Sequence, residues 1–98
     1  MFIKRGGISY TIRGKRVCGL LDPVVVGRVI QRYREEKGIS QEVLSGLADI
    51  GRTHLSAIER GARRPTLETF YRIAEAMRVK PSVILASIEE EMNACSEK

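Results

Sequence analysis

Residues 40–61 read SQEVLSGLADIGRTHLSAIERG, two short apolar patterns on either side of a break that contains no proline. In the first pattern Ser40 is a good N-cap, and Leu44 and Ala48 fall on one face of a helix of about two turns. The second pattern begins after Asp49-Ile50-Gly51, with Leu55 and Ile58 three residues apart and Gly61 as a stop. The stretch therefore reads as helix, tight turn, helix. With Leu55 and Ile58 turned inward, Arg52, Thr53, Ser56, Ala57 and Arg60 lie on or near the outer side of the second helix.

Similar signals continue on both sides. Upstream, Asp22-Pro23 can open a helix, the aspartate accepting from free N–H groups and the proline sitting where no N–H is needed. Val26, Ile30 and Tyr33 then recur at helical spacing until Gly38. Downstream, GARRP forms a basic loop, and Thr66 caps a helix whose inward residues are expected to be Leu67, Phe70, Ile73, Ala74 and Met77. Val79-Lys80-Pro81 breaks that helix, and Pro81 opens a fifth that is expected to run to about Met92, leaving NACSEK as a polar tail. The fold class expected is all-α, a compact five-helix bundle over residues 23–92, with a tail at 93–98.

Residues 1–22 follow a different rule. Ile8, Tyr10 and Ile12 alternate with Ser9, Thr11 and Arg13, and Gly14-Lys15 suits a two-residue turn into Arg16-Val17-Cys18. A β-hairpin is the expectation, with a flexible basic arm as its alternative. Two strands alone are marginal in water, so a hairpin here needs the helices or a second subunit to pack on.

Size and charge narrow the function. At 98 residues the chain suits one compact domain. No apolar run approaches the ~18–20 residues that span a bilayer, and the first residues lack a secretory h-region, so a soluble, cytoplasmic protein is expected. Cys18 and Cys95 form no C-x-x-C pair, and His54 is the single histidine, so neither a metal site nor another cofactor is anticipated. One histidine, no evident carboxylate pair and no phosphate-cradling glycine loop argue against an enzyme. The net charge is +5, with the basic excess in the N-terminal and central segments and an acidic balance beyond residue 65. That asymmetry, with a sequence pI of about 9.6, favours a polyanionic partner. A protruding helix with short polar and basic residues outward matches the width of the DNA major groove.

The strings REEKGISQEVL, RTHLSAIERGARRPTLET and YRIAEAMRVKPSVIL, in that order, resemble the Cro/C1-type helix-turn-helix regulators of phages and bacteria, known as the XRE family. The resemblance covers about Val26 to Leu85. It implies a lambda-repressor-like bundle acting as a homodimer on palindromic double-stranded DNA, most simply as a repressor of transcription. By that likeness Gln41 touches a phosphate, Arg52, Thr53, Ser56 and Ala57 meet bases or adjacent backbone, and Arg60, Arg63 and Arg64 grip phosphates. Arg34 and Glu59 correspond to a structural pair between helices one and three. The chain departs from the family with Asp49 in the turn where Gly is common, Ser45 where Ala is preferred, and Ala57 for a longer polar residue. Asp tolerates the left-handed region better than most residues, and Ala57 suits a thymine methyl. On helix five, Ile84, Leu85, Ile88 and Met92 make an apolar stripe that is expected to meet the symmetry mate, the alternative being that it seals the monomer core. A second functional reading is an antitoxin or restriction-modification controller that grips a protein partner through residues 1–22.

Overall fold

Capping chemistry sets where the helices begin. In the computed structural model, which describes residues 21–96, five helices follow in order: α1 (Pro23–Glu36), α2 (Gln41–Ala48), α3 (Arg52–Arg60), α4 (Leu67–Ala76) and α5 (Pro81–Ser96). Asp22 Oδ1 accepts from the Val24 N–H at 3.0 Å, Ser40 Oγ from Val43 at 3.1 Å and Thr66 Oγ1 from Thr69 at 3.1 Å. Each satisfies a first-turn donor that the helix itself leaves unpaired.

The first four helices close with one device. Just past each, a residue turns left-handed: Gly38, Asp49, Gly61 and Arg78. The next N–H then reaches back five residues, from Ile39 to Arg34 O, Ile50 to Ser45 O, Ala62 to Ala57 O and Val79 to Ala74 O, at 2.9–3.3 Å. This double-bonded ending satisfies the last carbonyls and reverses the chain within two or three residues. Asp49 (φ 59°) and Arg78 (φ 61°) adopt the conformation without being glycine, at a steric cost.

α3 packs on α1 and α2, α4 on α2, and α5 on α1 and α4. The shared core contains Val25, Val26, Val29 and Ile30 from α1, Leu44 and Ala48 from α2, Leu55 and Ile58 from α3, Phe70, Ile73 and Ala74 from α4, and Met77, Ile84 and Ile88. At Gly27 the backbone of α1 lies close against the end of α3. A Cβ there would strike the Ile58 carbonyl and lie 2.6 Å from the Glu59 carbonyl oxygen. Gly61, already left-handed, has no room either, because its Cβ would lie 2.7 Å from Val24 Cγ2. Backbone thus meets backbone where α1 crosses α3.

Three expectations are corrected. Leu67 is exposed, because the first residue of α4 projects from the helix start and Phe70, three residues on, takes the inward place. Ile84 and Ile88 are fully buried in the monomer and so are not surplus surface for a symmetry mate; of that stripe, Leu85 is exposed and Met92 half-buried against the core. α5 continues to Ser96 instead of ending near Met92, since Glu89 to Ser96 contains neither Gly nor Pro to stop it. The hairpin expected within residues 1–22 falls almost wholly on residues 1–20, outside the described residues.

Candidate nucleic-acid interface

The turn at Asp49 and the packing of Leu55 and Ile58 leave one side of α3 uncovered. Arg52, Thr53 and Arg60 are exposed there and Ser56 and Ala57 half-buried, while Arg63 and Arg64 are exposed on the loop that follows. α3 begins at Gly51 with no side-chain capping bond, so its first-turn N–H groups have no side-chain partner. Arg60 Nε lies 3.5 Å from Ser56 Oγ, long for a hydrogen bond, and so is only loosely held.

The arginines sort by partner. Arg28 and Arg32 reach Glu91 at 3.7 and 3.0 Å, Arg72 reaches Glu68 at 3.2 Å, and Arg34 is locked to Glu59. Among the described residues, Arg52, Arg60, Arg63 and Arg64 have no acidic group within ion-pair distance. Arg78, at the close of α4, is also unpaired. The positive charge of α3 and its loop is therefore uncompensated and faces solvent.

Glu59, the one acid on α3, points inward. Its two carboxylate oxygens accept from Arg34 Nε at 2.7 Å and Arg34 Nη2 at 3.1 Å, a bidentate pair, while Arg34 Nη1 donates to the Ile39 carbonyl at 2.9 Å. The Glu59 hydrogen bond raises the Arg34 pKa above its ordinary value; burial opposes this, and the charges of Glu59 and Glu35 add to it. Gln41 Nε2 also donates to Glu59 Oε1, at 2.9 Å. One carboxylate therefore ties α1, the start of α2 and the end of α3 together and is removed from the outer face. Sequence reading paired Arg34 with Glu59 and gave Gln41 to a phosphate; it missed the third bond. That bond still leaves the Gln41 amide its second hydrogen. Gly27, also missed, had its signal in VVVGR, a glycine amid an apolar helical run. His54 is half-buried on α3, and among the described residues no His, Cys, Asp and Glu cluster could hold a metal ion.

The helix-turn-helix family model matches residues 30–84, over half of the chain. This chain belongs to the helix-turn-helix family. The HTH-type transcriptional regulator y4dJ of Sinorhizobium fredii is 35% identical over 66 residues, covering 67% of this chain and 86% of that protein. Control protein C.BamHI of Bacillus amyloliquefaciens is 35% identical over 63 residues, 63% of this chain and 78% of its own. Among solved structures, the restriction-modification controller protein C.Esp1396I, a tetramer in complex with its natural 35 base-pair operator, superposes with a TM-score of 0.67 at 31% identity, covering 71% of this chain and 92% of that one. Members of the helix-turn-helix family are thus similar to this chain in both sequence and fold. Among the described residues no helix is long and apolar enough to cross a membrane.

Proposed function

We propose that this chain is a sequence-specific double-stranded DNA-binding regulator of transcription, acting in the cytoplasm as a homodimer on a palindromic operator and without enzymatic activity. The observation that carries this reading is the segregation of charge: four unpaired arginines on α3 and its loop, with the only acid of α3 turned into a buried pair. Arg52, Thr53, Ser56 and Ala57 are assigned to the major groove, where Arg52 can form a bidentate contact to guanine and Ala57 a contact to a thymine methyl. Arg60, Arg63, Arg64 and the remaining hydrogen of the Gln41 amide are assigned to phosphates, which position the helix without reading bases. A two-fold dimer sets the two α3 helices ~34 Å apart, one turn of the duplex. Of the α5 stripe, Leu85 is the exposed member left for that contact.

The likeness to C.BamHI and to C.Esp1396I on its operator favours the restriction-modification controller of the second reading over a general repressor. Selection of bound duplexes from a random pool, followed by mobility-shift titration in salt, tests the proposal. The enriched site should be an inverted repeat with half-sites one turn apart. With Arg60, Arg63 and Arg64 of both protomers on phosphates, log K should fall with log salt at a slope of about −5. Equal affinity for random duplexes, or binding indifferent to salt, overturns it.

A further inference from the structure

Gln41 is the first residue of α2, its backbone fixed where Ser40 caps the helix by accepting from Val43. A glutamine side chain is long and rotamer-rich, and at a half-buried position without a partner it samples many orientations. This one is held, because Gln41 Nε2 donates to Glu59 Oε1 at 2.9 Å. Glu59 is itself fixed on every side. Arg34 Nε and Nη2 bind its two oxygens at 2.7 and 3.1 Å, and Arg34 Nη1 is engaged by the Ile39 carbonyl at 2.9 Å. The Glu59 side chain is 3% exposed, and its backbone carbonyl lies close against Gly27 of α1.

Such an anchor decides two things about the amide. An ionised carboxylate only accepts hydrogen bonds, so it takes the NH2 end of Gln41 and excludes the flipped arrangement with the amide oxygen against it. The amide is planar, so with one hydrogen on Glu59 the direction of the other is set as well. A free glutamine presents either a donor or an acceptor to an approaching anion; held on Glu59, the nitrogen has only a hydrogen to offer. Resting on the DNA-binding reading above, we propose that Glu59 is a positioning residue for DNA: through Gln41 it aims one N–H at a backbone phosphate before the duplex arrives. Glu59 never touches the duplex. Holding the donor in advance removes the loss of side-chain freedom that binding would otherwise entail.

Mobility-shift titration of the full chain on the duplex selected from the random pool tests the coupling by a double-variant cycle. Gln41→Met removes the donor and leaves both Glu59 oxygens bound to Arg34, so the fold is kept. It should weaken binding about tenfold, roughly threefold for each of two protomers. The salt slope should stay unchanged, because a neutral amide releases no counterion. Glu59→Asp keeps a charge for Arg34 but draws the carboxylate back by one methylene, away from Gln41. It should weaken binding by a similar factor in the parent and by less than about twofold in the Gln41→Met background. Equal losses in the two backgrounds mean that Glu59 serves only to hold α3, and overturn the proposal. The parent chain decides the matter independently of any variant at Glu59. In its NMR spectrum the two side-chain amide hydrogens of Gln41 are distinct, and adding the duplex should shift one while the Glu59-bound one keeps its position. Release of the Glu59-bound hydrogen, or no change in either, overturns the positioning role. A parent that binds no duplex selectively overturns the proposed function and this role with it, whereas selective binding with an additive cycle overturns the positioning alone.

Discussion

Replacing Glu59 with Gln should be among the most damaging changes of nearly equal volume in this chain. The carboxylate takes three donors, two from Arg34 and one from Gln41, and its side chain is 3% exposed against 11% for Arg34. An amide in its place turns one acceptor oxygen into an NH2 that faces another donor, and it leaves the buried guanidinium with only the exposed Glu35, at 4.0 Å, as a counter-charge. Breaking a buried pair in this way costs about 3–5 kcal/mol. A domain of this size is stable by about 5–15 kcal/mol, so roughly a fifth or more of the total is at stake. Each kcal/mol moves the midpoint of such a domain by about 4–8 °C, which puts the expected loss at ~12 °C or more. Urea titration and calorimetry of Glu59→Gln, Arg34→Met and the double variant Arg34→Met/Glu59→Leu measure it. The double variant should lose clearly less than the sum of the singles, because no lone charge remains inside. The Arg34 pKa is raised, so its contribution is complete below the ordinary guanidinium value and is lost only above it. The single-variant penalty should therefore hold steady from neutral into alkaline conditions, as far as the fold persists. Singles within ~1 kcal/mol of the parent, or strict additivity in the double, would refute the reasoning.

Gly27→Ala should lower stability by about 1–3 kcal/mol, because the carbonyls of Ile58 and Glu59 must move to admit the methyl; an unchanged melting midpoint would contradict the close approach. Asp49→Gly and Arg78→Gly should each raise stability, by up to ~1 kcal/mol, since both residues sit at φ near 60° and glycine adopts that region without strain. Chemical denaturation reads the gain, and a loss at both positions would argue against left-handed turns there. Arg52→Ala should relax selectivity by about 1–3 kcal/mol at a single base pair, whereas Arg63→Ala and Arg64→Ala should weaken binding to all duplexes alike and reduce the salt slope by about 0.9 per lost phosphate contact. Competition mobility shifts on single-substitution operator sets separate the two behaviours, and the same profile for all three variants would undo the division of roles.

Local chemistry made much of this architecture legible. Asp22, Ser40 and Thr66 announce helix starts because a cap bonds within two or three residues of itself, and Gly38 and Gly61 announce ends because few other residues turn left-handed without strain. Arg78 makes the same turn without that signature, so Val79-Lys80-Pro81 marked the break a few residues late. The outer face of α3 followed from the three-residue spacing of Leu55 and Ile58. What stayed hidden depends on contacts across the chain. An apolar stripe on α5 does not say which surface covers it, and Ile84 and Ile88 proved to belong to the interior. Gln41 and Glu59 are 18 residues apart, and only the crossing of α2 and α3 brings amide to carboxylate. The sorting of arginines into paired and unpaired is hidden for the same reason, since Glu91 reaches α1 from the far end of the chain.

The backbone contact at Gly27, with Leu55, Ile58 and Glu59 directed inward, anchors α3 from one side, and the exposed Arg52 and Thr53 take no part in it. On the DNA-binding reading proposed above, those outward letters are open to replacement: a new operator preference would be written at Arg52 and Thr53 while the scaffold beneath is inherited unaltered. Divergence of target sites among descendants of such a protein would then run ahead of any divergence in shape.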